Sequence, residues 1–167
     1  MAKFDIQEIS DMSGLTIGQI EQAIHRFKMP VQEVRNGLAR EFSELDAFNF
    51  CFIAEVRRLG SDWKIIAGST ALPYPFAEDL FEIRKIGFFL LTPMISRHGE
   101  DAPKMLDITP VKSKQITAQL RASKAVAGVV IDAGEIVRRI EIFVRRRRKM
   151  TRDSQAIAGT VIVRGQR

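Results

Sequence analysis

The sequence has few of the residues on which enzymes and metal sites most often depend. Its 167 residues include one cysteine, Cys51, and two histidines, His25 and His98. A lone cysteine forms neither an internal disulfide nor a thiolate metal site, and acid-base and nucleophilic catalysis draw mainly on His, Cys and paired carboxylates. We therefore expect no enzyme, no metal and no cofactor. Cys51 lies between two phenylalanines and is interpreted as a small buried hydrophobe.

One short segment keeps a catalytic or metal-binding interpretation open. His98 lies beside Glu100 and Asp101, the one place in the chain where a histidine adjoins carboxylates. Further ligands at metal spacing are lacking, and a polar loop centred on Gly99 explains the cluster adequately. We favour the loop.

Long apolar runs are lacking as well. No uninterrupted stretch approaches the ~20 residues that span a bilayer. The start, Met-Ala-Lys-Phe-Asp, has no apolar signal-peptide core, so the expected localisation is the cytoplasm.

Positive charge is concentrated at the C-terminal end. Residues 1–70 hold 8 Lys or Arg and 10 Asp or Glu, residues 71–137 hold 8 and 8, and residues 138–167 hold 10 and 2. Non-specific affinity for nucleic acid comes from neutralising phosphates. Either dimerisation therefore doubles a local basic face, or the C-terminal segment supplies the affinity.

The N-terminal segment has the order of parts of a winged helix-turn-helix. A short helix, Ile6 to Ser13, is closed by Gly14, and Thr16 with Gln19 forms a capping box for a second helix. The positions expected to face the core are all apolar: Ile9, Leu15, Ile20 and Ala23.

A hairpin and a third helix follow. Val31 to Phe42 is rich in β-forming residues around Asn36-Gly37, a strong hairpin signal, and is the candidate wing. The third helix, Ser43 to Leu59, has Ser43 as its N-cap and Gly60 as its stop. Its expected buried stripe is Leu45, Phe48, Phe52, Val56 and Leu59.

Residues 40–46 (Arg-Glu-Phe-Ser-Glu-Leu-Asp) and 56–60 (Val-Arg-Arg-Leu-Gly) resemble the wing-to-helix segment of the MerR family of DNA-binding regulators, as does the spacing back to Gly14. The likeness covers roughly the first 65 residues and implies a winged helix-turn-helix DNA-binding domain over residues 1–70. In the recognition helix the chain has Glu21, Gln22 and Ala23, where the family usually carries an arginine followed by aromatics.

The remainder predicts a small α+β domain over residues 71–150, beginning at the break Leu72 to Pro75. Its expected elements are a helix at 76–86 ended by Gly87, strands at 88–96 and 105–111 that pair across a long loop, a helix at 112–123, a strand at 125–131, and a final helix capped by Asp132 with Glu135.

The final helix carries an apolar stripe that we expect to mediate dimerisation. This stripe comprises Ile136, Val137, Ile140, Phe143 and Val144. Beyond it, the basic run Arg145 to Lys149 should be an extended or frayed helix end unless an anion neutralises it. Residues 151–167 are expected to form a tail, with Ala156 to Val163 as either an edge strand or a mobile end.

The expected DNA contacts come from three places. On the recognition helix, Gln and Arg side chains read base edges and Gly18 allows close backbone approach, whereas the wing tip and the basic run suit phosphates. The residues are Thr16, Gly18, Gln19, Gln22, His25 and Arg26, then Arg35, Asn36 and Arg40, then Arg145, Arg146, Arg147, Arg148 and Lys149. The competing interpretations are a solvated helix face, an ordinary surface turn, and cations that bind an acidic partner or complement a helix C-terminus.

The sequence thus predicts a sequence-specific transcriptional regulator of bacterial or phage type, binding double-stranded DNA as a homo-oligomer, with a dimer favoured. RNA polymerase or another protein is a further candidate partner of the second domain. The alternatives are an architectural DNA-binding protein, resembling an excisionase or a small terminase subunit, and a ligand-sensing regulator.

Overall fold

The fold was analysed in a computed structural model that describes residues 2–26, 40–59, 79–93, 106–123 and 128–164. Helices combine with two small antiparallel sheets, which confirms a mixed α and β architecture. The elements are β1 (Lys3–Phe4), α1 (Ile6–Ser13), α2 (Ile17–Arg26), β2 (Phe42–Ser43), α3 (Glu44–Arg58), α4 (Leu80–Ile86), β3 (Phe88–Pro93), β4 (Leu106–Val111), α5 (Ile116–Ala122), β5 (Val129–Asp132) and α6 (Ala133–Arg164).

Helix α1 has its predicted limits, Ile6 to Ser13, and α2 begins after the predicted capping box at Thr16. Asp5 caps α1 by accepting from the Glu8 amide at 2.8 Å, and Gly14 ends the helix at a φ of 74°. The Thr16 and Gln19 side chains each accept from the other's backbone amide, at 3.3 and 3.0 Å. All four predicted inward positions are buried: Ile9, Leu15, Ile20 and Ala23.

A two-stranded sheet joins the start of the chain to the start of α3. Phe4 pairs with Phe42 and Lys3 with Ser43 in antiparallel register. Strand β1 was not predicted, because a two-residue strand has no visible periodicity. Residues 31–39 of the predicted wing hairpin lie outside the described residues, while its last residue, Phe42, pairs with β1.

Helix α3 lies at the centre of the fold. Ser43 accepts from the Asp46 amide at 3.1 Å, which confirms the predicted N-cap. Most residues around the helix are buried, including Phe48 and Phe52, so α3 is enclosed by neighbours on more than the single stripe that we predicted. Leu59 is 53% exposed, which corrects its assignment to the core, because the helix ends at Arg58.

The second sheet has the order β4-β3-β5, with both pairings antiparallel. This confirms the predicted pairing of the strands around residues 88 and 111. Phe89 of β3 packs its ring against Phe52 of α3, with centroids 5.3 Å apart. Helix α4 precedes this sheet, is capped by Asp79, and ends at Gly87, whose φ of 90° suits a glycine.

Helix α6 is longer than the sequence predicted. Asp132 accepts from the Glu135 amide at 3.0 Å at its start, and the helix continues for 32 residues to Arg164. A helix of this length extends about 48 Å. The expectations of a frayed end at Arg145 to Lys149 and of an edge strand at Ala156 to Val163 are therefore wrong, because both segments lie within α6.

One hydrophobic cluster includes side chains from both halves of the chain. It joins residues of α1, α2 and α3 to Ile83, Phe89, Ile108 and Ile131. The N-terminal helices and the second sheet therefore share a core within the described part of the chain. The expected boundary at Leu72 to Pro75 lies outside that part.

The apolar stripe of α6 belongs to this same core. Ile136, Val137 and Ile140 are each 1% exposed, and Phe143 and Val144 pack against the cluster while partly buried. Ile136, Val137 and Ile140 are already covered by the chain itself. The prediction that these three side chains face a second subunit is corrected accordingly.

Candidate nucleic-acid interface

The outward face of α2 is accessible as a contact surface. Thr16, Gly18, His25 and Arg26 are exposed, and Gln19 and Gln22 are half-buried. The opposite face is closed, because Ile20, Ala23 and Ile24 are in the core. The amphipathic pattern therefore orients the residues predicted to contact DNA toward solvent.

Two features of this face affect how closely a ligand can approach. A Cβ added to Gly18 would meet no atom within 4 Å, so the backbone there is open to solvent. Glu21 is also exposed, and its negative charge lies beside the predicted contact residues. A phosphate near Glu21 would be repelled, which favours contact from Gln22 and Arg26 further along the helix.

The wing is only partly described. Arg35 and Asn36 lie among the residues that the structure does not describe, so their predicted role stays a prediction. Arg40 is half-buried just before β2.

Arg58 is a cation near the helix-turn-helix that the sequence-based prediction missed. Its Nη2 atom lies 3.6 Å from the position that a Cβ on Gly14 would take, and its Nη1 donates to Glu55 at 3.0 Å. Glu55 also accepts from Arg139 Nη1 of α6 at 2.6 Å. The signal was present as the Arg57-Arg58 pair, but only the fold places Arg58 beside the Gly14 turn.

The five cations Arg145 to Lys149 are all exposed along the middle of α6. Successive helical residues turn by about 100°, so five in a row point around the whole helix. Arg147 points toward the N-terminal unit, where its Nη1 donates to the Lys3 carbonyl oxygen at 2.6 Å and to Glu8 Oε2 at 3.2 Å. The basic run is thus attached to β1 and to the first turn of α1.

An open groove of about 540 Å³ lies between α6 and the beginning of the chain. Its lining combines two residues of the N-terminal segment with one face of the helix: Ala2, Lys3, Val144, Arg147, Arg148, Thr151 and Arg152. Lys3 and Arg152 were not among the predicted contact residues. The groove thus brings four cations, Lys3, Arg147, Arg148 and Arg152, to one concave surface.

Glu135 forms ion pairs with Arg138 and Arg139 at the start of α6. Hydrogen bonding from Arg138 lowers the pKa of Glu135 most, desolvation opposes it, and a weaker hydrogen bond from Arg139 adds to the lowering, so the pKa falls from 4.5 to about 2. Glu135 raises the pKa of Arg138 in return, through its hydrogen bond first and its charge second. These pairs fix the first turns of the helix that carries the basic run.

Two observations concern groups that could serve catalysis or bind a metal in the described part of the chain. Burial raises the pKa of the Cys51 thiol to about 12, so it stays protonated and unreactive at neutral pH. No group of three His, Cys, Asp or Glu side chains able to hold a metal occurs in the described part of the chain. The loop His98 to Asp101 lies outside it.

Within the described ranges, no helix is long and apolar enough to cross a membrane. Helix α6 has the length, but it carries nine Lys or Arg and three Asp or Glu.

No family model matches the chain, and no curated protein sequence matches it.

Proposed function

We propose that this protein is a sequence-specific DNA-binding regulator in which α2 reads bases and the basic segment of α6 binds the phosphate backbone. The observation that carries the proposal is the attachment of Arg147 to Lys3 and Glu8. It fixes a strongly cationic helix against the same unit that presents the polar face of α2.

Helix α2 has the chemistry for base recognition. Gln22 and Arg26 lie four positions apart, which places them on adjacent turns of one helix face. Gln pairs with adenine and Arg with guanine through two hydrogen bonds in the major groove, and each good pair contributes about 1–3 kcal/mol of discrimination. His25 and Thr16 extend this polar surface along the helix.

The N-terminal segment supplies little general affinity, because residues 1–70 carry a net charge of −2. Residues 138–167 carry +8. Phosphate neutralisation would therefore depend chiefly on α6, and specificity chiefly on α2.

The wing contacts of Arg35, Asn36 and Arg40, and a dimer on a roughly palindromic operator, remain part of the proposal. The dimer would use a surface other than the buried side chains of Ile136, Val137 and Ile140.

The test is a selection of bound duplexes from a random-sequence pool, followed by competition of the enriched duplex against a scrambled one. We expect an enriched motif with at least about a tenfold preference, equivalent to one good base contact. Recovery of an unbiased pool would contradict the regulator and favour an architectural protein. Sedimentation of the complex separates a dimer from a larger ring.

A further inference from the structure

The groove beside α6 has the composition of an anion site. Five of its lining residues are Val144, Arg147, Arg148, Thr151 and Arg152. These positions follow the spacing i, i+3, i+4, i+7 and i+8, so they form one continuous face of the helix. One face of α6 therefore lines the groove, and Arg146 and Lys149 lie on the other side of the helix.

Two of the four cations in the groove are already paired. Lys3 forms an ion pair with Glu41, and Arg147 pairs with Glu8 at 3.2 Å. Arg148 and Arg152 form no ion pair or hydrogen bond with any residue that the structure describes. Their guanidinium groups have donors available for a ligand, and guanidinium matches phosphate in a bidentate geometry.

The walls of the groove are held in place before any ligand binds. Lys3 is paired with Ser43 in the β1-β2 sheet, and the Ala2 amide donates to Glu44 Oε1 at 3.0 Å. On the helix side, Arg147 is fixed by its bond to the Lys3 carbonyl. A site that is already ordered loses less conformational entropy on binding than a flexible cationic tail would.

We propose that this groove binds a phosphate group, and that its source is a phosphodiester of the DNA backbone. Arg148 and Arg152 would donate to the phosphate oxygens, with Lys3 and Arg147 adding positive charge at the opposite wall. This inference rests on the proposed function. It goes further by assigning the backbone contact to one face of α6 instead of to the whole basic run.

The experiment compares two double variants that remove equal charge from the same part of α6. The double variant Arg148→Gln with Arg152→Gln removes the two unpaired cations from the groove. Arg146→Gln with Lys149→Gln is the matched control on the opposite face. All four side chains are exposed, so both variants should keep the melting temperature of the wild type.

Affinity is measured by fluorescence anisotropy on the selected duplex and on its scrambled counterpart, over a range of salt concentrations. Loss of the one phosphate held by Arg148 and Arg152 should reduce the slope of log K against log salt by about 0.9. We expect this loss, with at least a tenfold lower affinity for both duplexes alike, in the groove variant only. If both variants lost the same DNA affinity, the groove would not be a specific phosphate site, and the positive charge of the whole basic run would account for binding.

A second arm identifies the source of the phosphate. Inorganic pyrophosphate should raise the melting temperature of the wild type and of the control variant, and leave the groove variant unchanged. A different outcome is that pyrophosphate raises the melting temperature only when the groove is intact, while the groove variant binds DNA as tightly as the wild type. That pair of results would contradict a DNA phosphodiester as the ligand and would assign the groove to a small phosphate compound. A wild type that binds neither duplex would instead contradict the proposed function itself, and the DNA source with it.

Discussion

The guanidinium of Arg147 donates to the carbonyl oxygen of Lys3 at 2.6 Å, although the two residues are 144 positions apart in the chain. The same guanidinium reaches Glu8 at 3.2 Å. These contacts join the C-terminal basic helix to the first strand and the first helix. The basic run, which the sequence predicted to be an extended or frayed helix end, is therefore part of the folded unit.

Replacing Arg147 should weaken this junction measurably. Arg147→Met keeps much of the aliphatic side chain and removes both contacts, at a cost of about 1 kcal/mol, since exposed ion pairs contribute little and one hydrogen bond to a carbonyl contributes about that much. Urea denaturation measures the loss. Arg146→Met, on the far side of the helix, should leave stability within about 0.5 kcal/mol of the wild type.

Gly14 and Gly18 should respond to alanine in opposite ways. Gly14 has a φ of 74°, where an alanine costs roughly 1–2 kcal/mol. Gly18 lies in α2 with no atom near its Cβ position, so Gly18→Ala should be neutral or stabilise by at most about 1 kcal/mol. Thermal melting distinguishes the two.

Gly18→Ala also tests close approach of DNA to α2. A methyl group at this open position should reduce affinity for the selected duplex without reducing stability. Unchanged affinity would place the Gly18 backbone away from the DNA.

The Cys51 thiol should be inert in the folded protein. It is 3% exposed, and burial raises its pKa to about 12, so thiolate is scarce at neutral pH. A chromogenic disulfide reagent should label less than a tenth of the protein without denaturant and one thiol per chain in guanidinium. Rapid labelling under native conditions would contradict the buried position in α3.

Glu135 should contribute to stability at neutral pH and lose that contribution in acid. Its pKa is about 2 in the folded protein and 4.5 as the ordinary value, so its contribution is fully present above about 4.5 and declines as the pH falls toward 2. Glu135→Gln should therefore lower the melting temperature slightly at pH 7. The difference from the wild type should shrink near pH 2, and a difference that grows in acid would have the wrong sign.

The sequence predicted helix ends that are fixed by residues close to one another in the chain. The caps at Thr16 and Ser43 and the turn at Gly14 are side-chain or backbone chemistry within three or four positions, and all were predicted correctly. The pairing of β3 with β4 was predicted from two apolar runs along the chain.

Long-range packing was not predictable in the same way. The stripe from Ile136 has the same period whether it meets a second subunit or its own core, and only the fold shows that Ile136 is 1% exposed. The basic run likewise gave no indication that Arg147 would contact Lys3 and Glu8. Contacts between residues so far apart in the chain leave no periodic pattern in the sequence. The groove and its unpaired Arg148 and Arg152 therefore became visible only in three dimensions.

The most direct test of sequence recognition by α2 is the ratio of affinities for the selected and the scrambled duplex, measured for the wild type and for two matched variants. Gln22→Ala with Arg26→Ala alters the outward face of α2, and Gln119→Ala with Arg121→Ala makes the same changes on α5. We predict that the α2 variant lowers the ratio by at least about tenfold, since two base contacts are lost, and that the α5 variant leaves it unchanged. A ratio that the α2 variant does not lower would contradict the assignment of sequence recognition to this helix.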